Sequence, residues 1–205
     1  MSNNIVIIDY NMGNLRSVQK AFEKIGSTVV ITNNHKDIQC ADKIVLPGVG
    51  AFKDGMKHLK ELGLIELLNE EIIVKKKPFL GICLGMQLIA KESQENGKTE
   101  GLSWIDAKVV KFKFKEKKLK IPHVGWNEVC YKNKNILFNG ISEKSDFYFV
   151  HSYYFSTEEN VVISTTDYGS DFVSSIQKDN IFAVQFHPEK SQRVGLKLLE
   201  NFVNI

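Results

Sequence analysis

The chain has 205 residues, 43% hydrophobic and 25% charged, with 14 glycines and 4 prolines, a composition that excludes a disordered or low-complexity chain and suffices for one core. Its formal charge of +3 is too small and dispersed for a nucleic-acid field, so the expected partner is a small molecule and not a nucleic acid. No apolar run nears the ~20 residues of a bilayer span, and the start Met1-Ser2-Asn3-Asn4 lacks a signal pattern, so the expectation is a cytoplasmic domain, 1–205, without membrane attachment.

Ile5-Val6-Ile7-Ile8 reads as a short buried strand, followed by a loop and then Leu15, Val18, Phe22 and Ile25 at helical spacing. Gly26 ends that helix. Thr28–Ile31 is a second strand and Lys43–Leu46 a third, broken by Pro47-Gly48-Val49-Gly50. From Ala51 to Lys77 the apolar positions Phe52, Met56, Leu59, Ile65, Leu68 and Ile72 predict one or two amphipathic helices, ended by Pro78. Phe79–Ile82 is a buried strand, and Leu84–Lys91 has helical spacing, which leaves Cys83 at the corner.

Beyond Gly97 the texture turns to β. Ala107–Lys115 alternates, and further runs occupy Phe147–Val150, Val161–Thr165, Phe172–Ile176 and Ile181–Gln185. A last helix over Ser191–Phe202 places Val194, Leu198 and Phe202 on one face, with Ser191 as its N-cap. Strands alternating with helices in the first half predict an α/β fold. It has a mostly parallel central sheet between helical layers, and antiparallel strands are added by the second half.

Gly81-Ile82-Cys83-Leu84-Gly85 is a G-x-C-x-G pentapeptide at a strand-to-helix corner, the setting in which a sharp elbow projects a nucleophile into a cleft. Glycines on either side relieve the crowding that such a corner creates. Thiolate is the attacking species, and a helix N-terminus and an imidazolium both favour it. Cys40, Cys83 and Cys130 form no C-x-x-C pair, so neither a disulfide framework nor a zinc site is expected. His187-Pro188-Glu189 follows another strand, and its carboxylate can turn back to fix the imidazole tautomer. The Gly48–Gly50 loop suits an oxyanion hole, with the Leu84 N–H as a second donor. Taken alone it suits a phosphate cradle or a plain turn equally. All three corners would open at the carboxyl edge of one sheet, where open α/β proteins bind ligands.

With DYNMGNL and PHVGWN, the motifs LPGVGAF, GICLGMQ and FHPEKS make the whole chain resemble a class I (triad-type) glutamine amidotransferase. Within that family it is most similar to the HisH group, the glutaminase subunits of imidazole glycerol phosphate synthases. The resemblance implies a single-domain three-layer fold and a Cys83, His187 and Glu189 triad. It also implies an oxyanion hole from Gly48, Val49, Gly50 and Leu84, and substrate contacts from Gln87, His151, Ser152 and Tyr153. Asn11, Asn14, Trp126, Tyr148 and Lys190 would face or gate a partner. The substrate would be L-glutamine, with no metal and no organic cofactor. Ammonia would pass within a heterodimer to a HisF-type (β/α)8 cyclase subunit of histidine biosynthesis. By the same resemblance, the isolated chain would be nearly inactive until the partner docks.

Two rivals share the chemistry: a HisH-like paralogue feeding a HisF-like sugar amidotransferase of surface-glycan synthesis, and, more remotely, a stand-alone cysteine peptidase. A non-catalytic subunit is disfavoured by the presence of all three triad residues. His35 and His58 read as surface residues, and His123 and His151 as cleft or interface residues. The seven lysines between Lys108 and Lys120, interleaved with Phe112 and Phe114, read as the solvent face of an edge strand protected against aggregation.

Overall fold

A computed structural model of the chain describes residues 4–114, 119–131 and 135–205. In chain order the strands are β1 (Ile5–Ile8), β2 (Val29–Thr32), β3 (Lys43–Gly48), β4 (Phe79–Cys83), β5 (Ala90–Ser93), β6 (Thr99–Glu100) and β7 (Ile105–Lys111). They continue with β8 (His123–Tyr131), β9 (Ser145–His151), β10 (Tyr153–Thr157), β11 (Val162–Asp167), β12 (Asp171–Lys178) and β13 (Ile181–Val184). The α-helices are α1 (Leu15–Lys24), α2 (His35–Cys40), α3 (Phe52–Glu61), α4 (Leu64–Leu68), α5 (Leu84–Leu88) and α6 (Gln192–Val203).

The centre is parallel, in the order β2-β1-β3-β4-β13, and β12, β10 and β7 extend it with antiparallel pairings. Strands buried on both faces need apolar residues at every position, and β1, with Ile5, Val6, Ile7 and Ile8, has them. Val6 and Ile8 face one core with Ile38, Phe52, Leu59 and Leu68 of α2 to α4. Ile5 and Ile7 face the other, with Val18 and Phe22 of α1 and Leu198 and Phe202 of α6. The outcome is the three-layer α/β arrangement, with each buried large aliphatic or aromatic side chain contributing about 1.5–3 kcal/mol.

Several local expectations are corrected. The helix after Cys83 stops at Leu88, because Ala90 enters β5 and pairs with Ile105 of β7. Strand β7 is interior and not an edge, since β10 lies on one side and β5 on the other. It ends at Lys111, beyond which Phe112 is buried in an aromatic cluster with Tyr154 and Phe172. Lys115, Lys117 and Lys118 lie outside the described residues. Lys108 of β7 sits 3.4 Å from Glu92 of β5, so that lysine pairs across the sheet. Ser191 stands before α6 but does not cap it: its Oγ donates to the His187 carbonyl (2.6 Å) and accepts from the Tyr148 N–H (3.0 Å).

The corner glycines have a measurable reason. A Cβ on Gly85 would lie 1.8 Å from the Leu46 carbonyl oxygen of β3, and one on Gly81 would lie 2.9 Å from the Gly85 carbonyl oxygen. Neither neighbour can yield, because both are backbone. At Gly55 of α3 a Cβ would meet side chains and not backbone, the Leu88 methyls at 3.2–3.3 Å and a Leu84 methyl at 3.4 Å, and side chains can shift. Gly85→Ala is therefore expected to cost about 3 kcal/mol or more, and Gly55→Ala much less, measured as urea midpoints.

Candidate active site

Cys83 ends β4 with φ 53° and ψ −106°, outside the regions that side-chain-bearing residues favour. Such a conformation costs roughly 1–3 kcal/mol and persists only where packing over-determines it. Here the close approach of Gly81 and Gly85 to neighbouring backbone supplies that packing. The corner thus presents the buried sulfur toward a cavity of about 460 Å³ lined by Cys83, Leu84, Val49 and Gly50.

Parallel pairing of β13 with β4 sets Val184 opposite Ile82, which brings Gln185 level with Cys83 and His187 just beyond. Gln185 Nε2 donates to Cys83 Sγ at 3.7 Å. His187 Nδ1 lies 2.8 Å from Glu189 Oε1, and both side chains are buried. The other ring nitrogen, Nε2, is buried without a hydrogen-bond partner of ordinary geometry, and the ring couples electrostatically to the Cys83 sulfur. Burial opposes a proton on this ring. The Cys83 sulfur and the Glu189 carboxylate outweigh it and raise the His187 pKa to about 10. The short loop is pinned to β9, since the His187 N–H donates to the Tyr148 carbonyl at 2.8 Å.

Of the loop read as an oxyanion hole, Val49 and Gly50 line the cavity together with Leu84. Gly48 lies beneath them, where a Cβ would overlap the Tyr10 hydroxyl. The DYNMG segment supports this loop from behind: Gly13 approaches Gly48 closely enough that a Cβ would lie 3.2 Å from its Cα, and Met12 packs on Gly50.

The residues read as substrate contacts, Gln87, His151, Ser152 and Tyr153, also line the cavity, but their polar atoms are unequally free. Gln87 Nε2 donates to the Tyr153 carbonyl (3.0 Å) and to Gln185 Oε1 (3.1 Å), which leaves Gln87 Oε1 as the open acceptor. His151 is committed internally at both nitrogens, Nδ1 to the Tyr153 carbonyl at 2.8 Å and Nε2 to His123 Nδ1 at 3.0 Å. A carbonyl only accepts, so His151 carries its proton on Nδ1. Its Nε2 must then accept from His123 Nδ1, and His123 Nε2 in turn accepts from Asn127 Nδ2 at 3.3 Å. Burial keeps both rings neutral, lowering the His123 pKa to about 4 and that of His151 to about 3. The ring of His151 is thus a support for the cavity wall, with no nitrogen left for a ligand.

Trp126, Tyr148 and Lys190 form one group at the rim. Trp126 is 47% exposed and meets the Tyr148 ring edge-on at 5.9 Å, and Lys190 Nζ lies 5.7 Å from the centre of that ring. Asn11 and Asn14 are exposed but lie apart from the cavity lining, and Asn14 borders a separate surface depression with Asp9 and Arg16. Three residues of the site carried no sequence signal of their own: Tyr10, Glu95 and Gln185. Glu95 is the one carboxylate among the described residues lining the cavity, and its Oε2 accepts from the Phe52 N–H at 2.7 Å. Gln185 sits within the motif VQFHPE and could have been suspected from the β13 to β4 register alone.

This strained cysteine corner, with a carboxylate-oriented histidine beside it on a parallel sheet, is the architecture of the class I glutamine amidotransferases. The chain belongs to that family, whose model, glutamine amidotransferase class-I, matches residues 6–205. It is 57% identical over 201 residues, 98% of this chain and 100% of the relative, to the imidazole glycerol phosphate synthase subunit HisH 1 of Campylobacter jejuni subsp. jejuni serotype O:23/36 (strain 81-176). It is 51% identical over 199 residues, 96% of this chain and 94% of the relative, to the imidazole glycerol phosphate synthase subunit HisH of Aquifex aeolicus (strain VF5). The PurLQS structure from Thermotoga maritima shares the fold, with a TM-score of 0.76 at 18% identity over 100% of this chain and 99% of that one.

Two expectations follow from the electrostatics. In Cys83→Ser the largest influence favouring the His187 proton is removed, so the imidazole titration followed by NMR moves down from about 10. His123 and His151 bind protons near 6.5 when unfolded but only at about 4 and about 3 when folded. Between pH 6.5 and about 4 the unfolded chain therefore holds more protons, and stability falls as pH falls through that window. His123→Asn keeps a donor toward His151 but removes one titrating ring. Its urea midpoint should depend less steeply on pH over that interval.

Proposed function

We propose that the chain works as the glutaminase subunit of an imidazole glycerol phosphate synthase, in histidine biosynthesis. The observation that carries this reading is the convergence of Cys83, His187 and Glu189 at the edge of a cavity sized for an amino acid. Kinship to the HisH subunits over nearly the full length of both chains supports it.

The γ-amide carbon of L-glutamine takes the Cys83 sulfur, and the tetrahedral oxygen is met by backbone N–H groups of Val49, Gly50 and Leu84. His187 then gives a proton to the departing nitrogen, ammonia leaves, and a γ-glutamyl thioester remains. Water, deprotonated by His187, attacks the thioester and releases glutamate and the free thiol. Glu189 holds the imidazole in one orientation and balances its positive form. In the substrate, the α-ammonium suits Glu95, and the open Gln87 Oε1 suits an N–H donor. Ser152 and Tyr153 frame the same wall, and the His151 ring acts by holding it.

The ammonia goes to a HisF-type (β/α)8 cyclase subunit bound as a heterodimer in the cytoplasm. Trp126, Tyr148 and Lys190 suit the contact with it, because a half-exposed aromatic beside a cation gives large burial with few rotors to freeze. Asn11 and Asn14 would add contacts from the loop behind the oxyanion segment, and the exposed Val49 loop would become donor-ready on docking.

Co-expression with the HisF-type subunit, followed by glutamate release and transfer of amide nitrogen from labelled glutamine, tests this reading. Wild type is expected to release glutamate much faster with the partner than alone and to place the label in imidazole glycerol phosphate. Cys83→Ala should lower release by at least about 10³-fold. Label delivered to an aminated sugar instead would overturn the histidine assignment and spare the glutaminase. Equal rates with and without the partner would remove the activation.

A further inference from the structure

Tyr10 follows β1 on the same carboxyl edge and is fully buried, yet its hydroxyl has no hydrogen-bond partner among the described residues. A buried hydroxyl left unpaired costs about 1–3 kcal/mol. Phenylalanine would fill the same volume without that cost. Burial, and next the neighbouring Cys83 sulfur, hold the phenol pKa above its usual range, so the group is a neutral donor.

Its place is specific. Ile7 pairs with Val45, so the register carried three residues on sets Tyr10 level with Gly48, and Gly48 is itself paired with Cys83. A Cβ on Gly48 would lie 2.1 Å from the Tyr10 oxygen. The hydroxyl therefore packs on the buried side of the loop whose Val49 and Gly50 line the cavity, while Tyr10 itself is absent from that lining.

A trans peptide unit points its N–H and C=O in opposite directions. A loop that offers the Val49 N–H to an oxyanion in the cavity therefore turns the Gly48 carbonyl toward the buried side, where it requires a donor. We infer that Tyr10 is a positioning residue for the oxyanion loop, its hydroxyl donating to the Gly48 carbonyl when the Val49 N–H faces the developing oxyanion. This rests on the glutaminase reading above. The bond is unmade in the free chain, so its formation favours the reacting state over the resting one, which is the condition for raising kcat.

Tyr10→Phe removes one oxygen and little else. In the complex with the synthase partner, kcat for glutamate release is expected to fall about tenfold, the weight of one hydrogen bond near its upper range. KM for glutamine should stay within about twofold, and the melting temperature of the free chain should be unchanged or higher. Alkylation of Cys83 by iodoacetamide should keep its rate, because the sulfur and His187 are untouched. An unchanged kcat overturns the inference. So does a loss of alkylation equal to the loss of kcat, since Tyr10 would then act on the sulfur, and so does a fall in kcat explained by a lower melting temperature. Cys83→Ala run alongside keeps the two ideas separate: full turnover there defeats the glutaminase reading, whatever Tyr10→Phe does.

Discussion

The site depends on one backbone conformation, the left-handed turn at Cys83. A residue with a side chain does not hold φ near +53° by itself. It is held because β4 is inserted between β3 and β13, and because Gly85 lies so close to the Leu46 carbonyl that the corner has no room to relax. The parallel register then does the rest. Cys83 is level with Gly48 on one side and Gln185 on the other, so three separate stretches of chain deliver their functional ends to one rim. Strain at Cys83 and close packing beneath it are one feature seen from two sides.

Electrostatically the site divides in two. Around the sulfur, the carboxylate of Glu189 and the imidazole of His187 form a buried charged set in which the ring keeps its proton far above its ordinary range. A few residues away, burial without a carboxylate drives His123 and His151 the other way. Two histidine populations in one small volume follow from the presence or absence of negative neighbours, the Cys83 sulfur first and the Glu189 carboxylate next. The neutral pair is useful because its hydrogen bonds have only one consistent polarity. From Asn127 through His123 and His151 to the Tyr153 carbonyl, each ring nitrogen has one partner, and Gln87 donates to the same carbonyl. A satisfied network of that kind resists rearrangement, because any flip leaves a buried group unpaired.

Much of this was legible in the sequence where local signals and tertiary demands agree. The apolar runs at Ile5–Ile8 and Phe79–Ile82 are near-continuous because their strands are covered on both faces, and the helices α1 and α6 show their buried stripes plainly. The corner glycines and the HPE spacing announce close approach and a fixed imidazole, and the structure brings these segments together. The failures are of a different kind. Strand β8 was read only as a motif, since His123, Gly125, Trp126 and Asn127 break the hydrophobic alternation that marks a strand. Strand β7 looked like an edge because its lysines alternate, yet alternation reports which residues meet water and not whether a neighbour pairs alongside. Tyr10 and Gln185 gave no signal because their importance lies in register across strands, which one segment cannot express.

The same register explains why the rim is left open. Nearly every group that must be fixed, from Gly85 to Glu189, is locked by backbone contacts or buried hydrogen bonds. The Gly48–Gly50 loop is the exception: Val49 is 40% exposed, and the loop rests on Met12 and on a Tyr10 hydroxyl without a partner among the described residues. Trp126 and Val124 of β8, on the strand that carries His123, are likewise left in water. An apolar surface covering them would bury these side chains and exclude water from the rim beside Cys83 in the same event. The Cys83 corner and the His187–Glu189 pair are thus fixed from within, whereas the Val49 loop and the apolar residues of β8 are the part of the rim left to solvent.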